Sequence, residues 1–272
     1  MLLQLRDILA VYQVFEFGVC NFNQIQTFLP CRNVSQIPEQ AKSIIVCAFP
    51  YYIEQKQPAN LCKYAQLPDY HTVVKTILNQ IISALQETFG GNYVGFSDIS
   101  ALPEKDCAWL CGLGIRGKNG LIINRRYGSY FMIGEIVTDV QFEPSKPIEE
   151  ECIGCNRCIQ SCPAGAIKEG KIDYERCLSA ITQKKGELTL TEKELIEKNQ
   201  LVWGCDHCQS VCPHNAKVAQ THLTAFTQDI EPYVTYENLS KLMKTRAFGY
   251  RGRKLMLRNL DLVNHLSEKQ ER

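Results

Sequence analysis

Two runs of cysteine in the second half of the chain constrain its fold more than any other feature. The run CIGCNRCIQSCP begins at Cys152 and contains four cysteines, and the run CDHCQSVCP begins at Cys205 and contains three. Each run ends in Cys-Pro. Several thiolates bind a metal only where the backbone directs their sulfurs to one place. The two runs therefore predict metal centres and not a core of packed side chains.

The spacing of the runs is typical of bacterial ferredoxins that hold two [4Fe–4S] clusters, in which the cysteine before the proline serves the other cluster. One predicted cluster has as its ligands Cys152, Cys155, Cys158 and Cys212. The other has Cys162, Cys205 and Cys208, and it lacks one sulfur. Cys177 lies between the two runs, in the segment DYERCLSA, and completes the second set.

Two four-cysteine zinc sites with a purely structural role are the alternative. Zinc sites of that kind use two separated C-x2-C pairs and need neither a third cysteine nor paired Cys-Pro endings, which favours iron–sulfur clusters. Of the other six cysteines, Cys47 lies in an apolar segment and is expected in the core. Cys107 and Cys111 are four residues apart on one predicted helix and are expected to pack there and not to bind a third metal.

Composition limits the class of protein. The chain has 272 residues, a formal net charge of +1 and 45% hydrophobic residues, enough for one large domain and a smaller module. Near-neutral charge gives no basic footprint over the whole surface. The N-terminal stretch places Arg6 and Asp7 among apolar residues and predicts an ordinary helix, not an export signal. No apolar run reaches the roughly 18 residues of a membrane span, so we expect no membrane contact and a cytoplasmic location.

Hydrophobic periodicity predicts a mixed α+β chain. The expected elements are a strand at 43–52, an amphipathic helix at 71–91, a strand at 92–98, a helix at 103–112 and two strands around a turn near 126–128. A Thr-capped helix is expected in LTLTEKELIEKNQ. Two prolines and an acidic run at 142–151 predict a linker. The predicted domains are 1–145, 146–218 and a basic helical tail at 219–272.

Several ordered motifs resemble the epoxyqueuosine reductases. They are YAQLPDYH at 64–71, GLGIRGKNGLIINRRYGSYFMIGEIVTD from Gly112, and WGCDHCQSVCP from Trp203, and the similarity covers about residues 40–215. The resemblance implies a nitroreductase-like, corrinoid-binding α/β domain followed by a ferredoxin-like domain with two clusters. It also implies the reduction of epoxyqueuosine to queuosine in tRNA, with two electrons and two protons consumed and water released.

The same resemblance implies a base-off cobalamin and assigns residues to it. Asp98 matches the proton donor, whose pKa would be raised by burial against the corrin. The residues alone favour an Asp that caps a turn, and the family resemblance reverses this preference in favour of the proton donor. The implied corrin contacts are Cys62, Lys118, Asn119, Gly128, Ser129 and Asp206. His71 is expected either to line the substrate pocket or to serve the fold.

Partners are the least constrained part of the prediction. The segment 241–258 holds seven Lys and Arg and no acid, so it is either a tRNA-binding surface or a solvated basic helix. Longer members of the resembled family continue into a helical-repeat domain, and we expect a short member without it, with a low-potential electron donor such as flavodoxin or ferredoxin. The alternatives are a corrinoid reductase of a small molecule and an electron-transfer protein without a substrate of its own.

Overall fold

A computed structural model describes residues 1–55, 57–168 and 170–270. The chain forms two compact units, neither of which is continuous in sequence. The first contains 1–50, 71–117 and 121–152, and the second contains 51–70, 118–120 and 153–272. The functional domains at 1–145, 146–218 and 219–272 stay a prediction, and the compact units cross their boundaries because 51–70 folds with the C-terminal residues.

The first unit is built on an antiparallel sheet. Its strands are β1 (Phe17–Asn21), β2 (Ser43–Pro50), β3 (Tyr93–Phe96), β4 (Ile115–Arg116), β5 (Ile122–Ile123) and β6 (Phe131–Thr138). Four of them form the main sheet in the order β1-β2-β6-β3, and β4 pairs with β5. Every residue of β2 is buried, as expected for a central strand with both faces covered. The predicted strand at 43–52 is confirmed, and it ends at a proline.

Helices cover both faces of this sheet. The first unit has α1 (Leu2–Val11), α2 (Tyr70–Phe89) and α3 (Glu104–Leu110). On one face, a Cβ at Gly134 would lie 2.7 Å from the Phe49 ring and 3.2 Å from Leu78 of α2. On the other, a Cβ at Gly18 would lie 2.2 Å from the carbonyl oxygen of Cys111, just after α3. The predicted helices at 71–91 and 103–112 are confirmed, with Pro103 as the N-cap.

The two strands expected around a turn near 126–128 are confirmed as β5 and β6, but they do not pair with each other. Strand β6 pairs with β2 and β3, while β5 pairs with β4, and only one bridge joins Asn124 to Gly128. The side-chain oxygen of Asn124 accepts hydrogen bonds from the backbone N–H groups of Arg126 and Tyr127, and its amide donates to the carbonyl of Leu113. These bonds close a local turn that ends the pairing after one bridge. Both edges of β6 remain available to the main sheet.

The second unit is mainly helical. Its elements are α4 (Arg157–Gln160), β7 (Ile167–Lys168), β8 (Lys171–Ile172), α5 (Leu178–Thr182), α6 (Leu190–Asn199), α7 (His207–Ser210), α8 (Thr224–Thr227), α9 (Leu239–Thr245) and α10 (Arg253–Gln270). The Thr cap of α6 is confirmed, because Thr189 and Glu192 form a reciprocal capping box. The α+β class is thus confirmed for the chain.

One core joins three parts of the second unit. It contains Leu61 from the early segment, Trp203 from the cysteine-bearing part, and Phe248, Met256 and Leu260 from the C-terminal part. Asn60 fastens the early segment: its side-chain amide donates to the carbonyl of Val234 (2.9 Å), and its side-chain oxygen accepts from the N–H of Val234 (2.8 Å). The C-terminal residues are therefore part of this core.

The basic segment 241–258 is not a single solvated helix, because α9 and α10 are separated by a short 3-10 helix at Ala247–Arg251. Arg246 has a fully buried side chain that pairs with Asp229 at 3.2 Å and lowers the pKa of that carboxyl. Arg258 donates to the carbonyls of Lys184 and Gly186. Two of the seven cations thus serve the fold.

Within the part of the chain that the structure describes, no helix combines the length and the apolar character that crossing a lipid bilayer requires.

The Asn60 anchor predicts a specific loss of stability. Asn60→Ala leaves the buried N–H and C=O of Val234 without their side-chain partners, which costs about 3 kcal/mol. We expect a lower midpoint of thermal unfolding for the cluster-loaded protein under anaerobic conditions. Asn79→Ala, on the exposed side of α2, is the control. Equal midpoints for the two variants would contradict the anchoring role.

Candidate functional site

The cysteines of the second predicted cluster lie near one another in the second unit. The electrostatic influence of Cys177 and Cys162 raises the pKa of the Cys205 thiol. That of Cys205, Cys177 and Cys158 raises the pKa of the Cys208 thiol. The backbone N–H of Ala166 donates to Sγ of Cys162 at 3.3 Å. Cys177 sits at the N-terminus of α5, and Cys208 lies within α7. The segments that carry these thiols are far apart in sequence, yet the fold brings them together as the spacing predicts.

The acid–base chemistry of these thiols fits a cationic centre. Burial, followed by the charges of neighbouring groups, raises the pKa of Cys205 and of Cys208 to about 12. Several such thiols cannot all ionise beside one another unless a positive centre compensates their charge. Iron in a cluster does so and binds the thiolate form. The donor set therefore fits a [4Fe–4S] cluster.

A [4Fe–4S] cube binds each of its four thiolates to a different iron atom, so its ligands need not converge on one point. In the described ranges, no group of three or more His, Cys, Asp or Glu side chains is arranged to hold one ion.

A buried polar network links the early segment to the second cysteine run. The backbone N–H of Cys62 donates to the carbonyl of Trp203 at 2.9 Å. Gly204 has a φ of +72°, and a Cβ there would lie 2.1 Å from Sγ of Cys62, so glycine is required beside Cys205. The carboxylate of Asp206 accepts from the N–H of Lys63 at 2.7 Å.

Aromatic and amide groups that the sequence analysis missed extend this network. Gln209 donates to Asp206 (3.2 Å) and accepts from the hydroxyl of Tyr51 (3.2 Å), while the indole of Trp203 donates to the hydroxyl of Tyr64 (3.0 Å). Burial raises the pKa of Asp206 and, much further, that of Tyr64. YAQLPDYH and WGCDH marked both segments, but only the fold brings their side chains together.

The corrin contacts implied by the resemblance fall in both units. Gly128 and Ser129 belong to the first unit, where Gly128 has a φ of +57° and Ser129 is buried. The second unit contains Cys62, Lys118, Asn119 and Asp206. Asn119 is buried, and the ammonium of Lys118 donates to Asn156 at 2.8 Å. Within each unit, the amide, hydroxyl and ammonium groups named here are of the chemical types that bind the amide-bearing rim of a corrin.

Asp98 and His71 form a pair in the first unit. Nε2 of His71, in the first turn of α2, lies 3.3 Å from Oδ2 of Asp98, just after β3. The protein atoms leave 45% of the Asp98 side chain exposed, so the expected buried carboxyl is not seen. Asp98 has a φ of +67°, a strained conformation for a residue other than glycine. The pair can share one proton between Nε2 and Oδ2 and present it to a ligand.

Two acids lie near Asp98, the partly buried Glu104 and the fully buried Glu135, and the sequence analysis missed both. Burial, followed by the charges of Glu135 and Asp98, raises the pKa of Glu104 to about 8. Burial raises the pKa of Glu135 on β6 to about 7. Glu135 occurs in the alternating strand FMIGEIVT, where an acid is ordinarily read as facing water.

Comparisons with known proteins agree with this site. Residues 151–215 match the profile of a 4Fe-4S double cluster binding domain. The fold and this match define the class: an iron–sulfur protein with a ferredoxin-like double-cluster domain. Residues 32–98 match the profile of the epoxyqueuosine reductase QueG, DUF1730. The chain belongs to the epoxyqueuosine reductase family.

Named relatives support that assignment. Epoxyqueuosine reductases of Lactococcus garvieae and Bacillus cereus are 34% and 37% identical over 204 and 186 residues. These alignments cover 71% and 64% of this chain. They cover 56% and 48% of the relatives, so the chain spans about half the length of the curated relatives it matches.

Solved structures share the fold. The epoxyqueuosine reductase from Streptococcus thermophilus superposes with a TM-score of 0.83 and 24% identity, covering 97% of this chain and 80% of that one. An epoxyqueuosine reductase structure with a modified tRNA-Tyr stem loop superposes with a TM-score of 0.82 and 24% identity. The match covers 96% of this chain and 80% of that chain. A catabolic reductive dehalogenase superposes with a TM-score of 0.55 and 13% identity, and the match covers 98% of this chain and 36% of the dehalogenase chain.

The ligand assignment predicts a defined iron loss. Cys177→Ala removes one thiolate of one cluster, so iron should fall from about eight to about four atoms per chain. Cys31→Ala, outside both runs, should keep the full amount. Iron assay and EPR of the reduced, anaerobically purified proteins measure the difference. Full iron content in the Cys177 variant would remove this cysteine from the ligand set.

Proposed function

We propose that this chain is a cobalamin- and iron–sulfur-dependent oxidoreductase that reduces epoxyqueuosine to queuosine in tRNA. The epoxide accepts two electrons and two protons, both of its C–O bonds break, a carbon–carbon double bond forms, and water leaves. The observation that carries this proposal is that one chain matches both the epoxyqueuosine reductase profile and the double-cluster profile.

Both cofactors have a defined chemical task in this proposal. The clusters supply single electrons of low potential, on the order of −400 mV for plant-type ferredoxins. Cobalamin supplies the cobalt centre that makes a two-electron reduction of a C–O bond accessible. Its support here is the family membership, the donor set described above and the fold shared with a reductive dehalogenase. Cys62 and Asp206, with the Lys118–Asn119 and Gly128–Ser129 pairs, are the residues that would hold it.

Protonation is the task of the protein side chains. An epoxide oxygen leaves poorly as an alkoxide, so a proton must reach it during C–O cleavage. Oδ2 of Asp98 is accessible and 3.3 Å from Nε2 of His71. Asp98 donates the proton, and His71 orients the carboxyl and replaces the proton afterwards. The proton then passes directly from Nε2 of His71 to Oδ2 of Asp98, and no hydronium ion has to diffuse to the site.

The proposed partners follow from the substrate. The related structure with a modified tRNA stem loop supports tRNA, and a low-potential protein such as flavodoxin or ferredoxin is the proposed electron donor. The proposed location is the cytoplasm, because the proposed substrate is a tRNA. Of the five other cations in the segment 241–258, Lys241 pairs with Asp229 at 3.7 Å. The remaining four have no role in the core described above: Lys244, Arg251, Arg253 and Lys254. These groups are the proposed phosphate contacts of that segment.

Asp98→Asn tests the acid. The amide cannot donate a carboxyl proton, so turnover of epoxyqueuosine-bearing tRNA should fall about 100- to 10,000-fold. Iron content and tRNA binding should stay unchanged. Asp7→Asn, exposed on α1, is the matched control. Full turnover in the Asp98 variant would exclude the acid role, and a wild-type protein that reduces no epoxide but passes electrons would favour the electron-carrier alternative.

Charge reversal tests the tRNA partner. The double variant Lys244→Glu and Lys254→Glu should weaken binding of a tRNA stem loop, and its affinity should depend less steeply on salt, by about one unit of log–log slope per lost phosphate contact. The matched control reverses Lys42 and Lys75, two exposed lysines of the first unit. Identical salt slopes in both double variants would exclude this segment from the RNA interface and strengthen the small-molecule alternative.

A further inference from the structure

The loop between β3 and α3 has to hold an exposed side chain in a strained backbone conformation. Asp98 lies in this loop with a φ of +67°, a left-handed conformation that is unfavourable for a residue with a Cβ. Backbone carbonyls of the loop are held from one side, where Leu29 donates to Ala101 (2.8 Å) and the amide of Asn33 donates to Ile99 (2.9 Å). Within the loop, the N–H of Ile99 donates to the carbonyl of Ser97 (2.9 Å), whereas the N–H of Asp98 needs an acceptor from outside the loop.

Glu135 supplies one attachment from the centre of the sheet. Its side chain is fully buried on the α3 face of β6. The hydroxyl of Ser100 donates to Oε2 of Glu135 at 2.7 Å, and Oγ of Ser100 accepts from the N–H of Leu102 at 3.0 Å. Ser100 therefore bridges a central strand and the backbone of the loop.

Glu104 supplies the second attachment. It is the first residue of α3, and its carboxyl accepts a hydrogen bond from the backbone N–H of Asp98 itself. The strained residue is thus tied directly to the start of a helix, which packs on the sheet. Both attachments use a carboxyl group that the proposed chemistry does not otherwise need.

We propose that Glu104 and Glu135 are positioning residues that hold the Asp98 loop in its working conformation, one through the backbone N–H of Asp98 and the other through the hydroxyl of Ser100. The inference concerns how the loop is held; its consequence for turnover rests on the proposed function. Neither glutamate touches the substrate in this role.

The groups around Glu104 and Glu135 make the attachment of the Asp98 loop depend on pH. Glu104 faces Asp98, Glu135 and the ammonium of Lys105, and Glu135 faces Ser100 and the thiol of Cys107, which in turn contacts Cys20. Burial outweighs the hydrogen bonds, so the pKa of each carboxyl lies above the ordinary 4.5, at about 8 and about 7.

The sign of the pH effect follows from linkage. With the loop in place the acids keep their protons up to about pH 7 to 8, whereas with the loop open water lets them ionise near pH 4.5. Opening therefore releases protons between these values, and rising pH favours the open loop by up to about tenfold per pH unit for each proton released. The loop is held best at the acidic end of this window.

Hydrogen exchange of the holoprotein, followed by mass spectrometry from pH 5.5 to 7.5 without substrate, tests the inference. Protection of the 97–102 amides, corrected for intrinsic exchange, should fall with pH in the wild type. In Glu104→Gln the side-chain amide oxygen still accepts from the N–H of Asp98 but the side chain cannot titrate. The protection should therefore decrease less steeply with pH, by a slope that corresponds to about one proton fewer released on opening. Ser100→Ala should lower protection about tenfold, whereas Glu135→Gln, which keeps an acceptor for Ser100, should largely retain it.

Two further variants and one activity measurement complete the experiment. Asn33→Ala should loosen the loop without changing the pH slope, and Ser83→Ala on α2 should change neither. In turnover, Ser100→Ala should lower kcat about 100-fold with KM unchanged, because a displaced acid affects the transition state and not binding. Wild-type protection and pH slope in both Ser100→Ala and Glu104→Gln would overturn the inference. The expected exchange pattern in a protein that reduces no epoxide would support the inference and refute only the proposed function.

Discussion

Repulsion between closely spaced thiolates is the constraint on which the second unit depends. Cys162, Cys177 and the pair Cys205 and Cys208 come from three segments of the chain. The charge of each thiolate opposes ionisation of its neighbours, which metal binding needs. The fold opposes this repulsion with a core that has no cysteine ligand in it, built around Leu61, Trp203 and Phe248. The core fixes the segments, and the cluster then supplies the positive charge that lets the thiols ionise.

This arrangement explains why the second unit takes in residues 51–70. Gly204 precedes the ligand Cys205, and its missing side chain lets Cys62 approach the backbone of the cysteine run. Asn60 ties the same segment to Val234 by two hydrogen bonds. A segment from the first quarter of the chain thereby supports the second run through buried contacts. Cys62 and Asp206, both implied as corrin contacts, are held by the same scaffold.

Local sequence signals predicted the parts of the fold that local chemistry decides. The apolar run 43–52 becomes β2, the periodic stretch 71–91 becomes α2, and Thr189 caps α6 as its spacing indicates. The double-cluster domain matched over 151–215 was predictable because metal ligation fixes residue type and spacing together. The turn near 126–128 and its two flanking strands were predicted, but the partners of those strands were not, because the side chain of Asn124 closes a local turn and strand partners depend on contacts distant in sequence. No local sequence pattern predicts that residues 51–70 belong to the second unit.

The acids behind Asp98 escaped prediction for a different reason, which bears on how such a site is held. Glu135 belongs to a strand whose two faces are both covered, so alternation cannot distinguish a buried acid from a solvated one. A lysine at that position could not accept the Ser100 hydroxyl, and an apolar residue would leave that hydroxyl without its acceptor. A carboxyl with a raised pKa satisfies the hydroxyl and avoids a second permanent charge behind Asp98. The exposed acid can then keep a strained conformation because neutral, buried acceptors hold the loop that carries it.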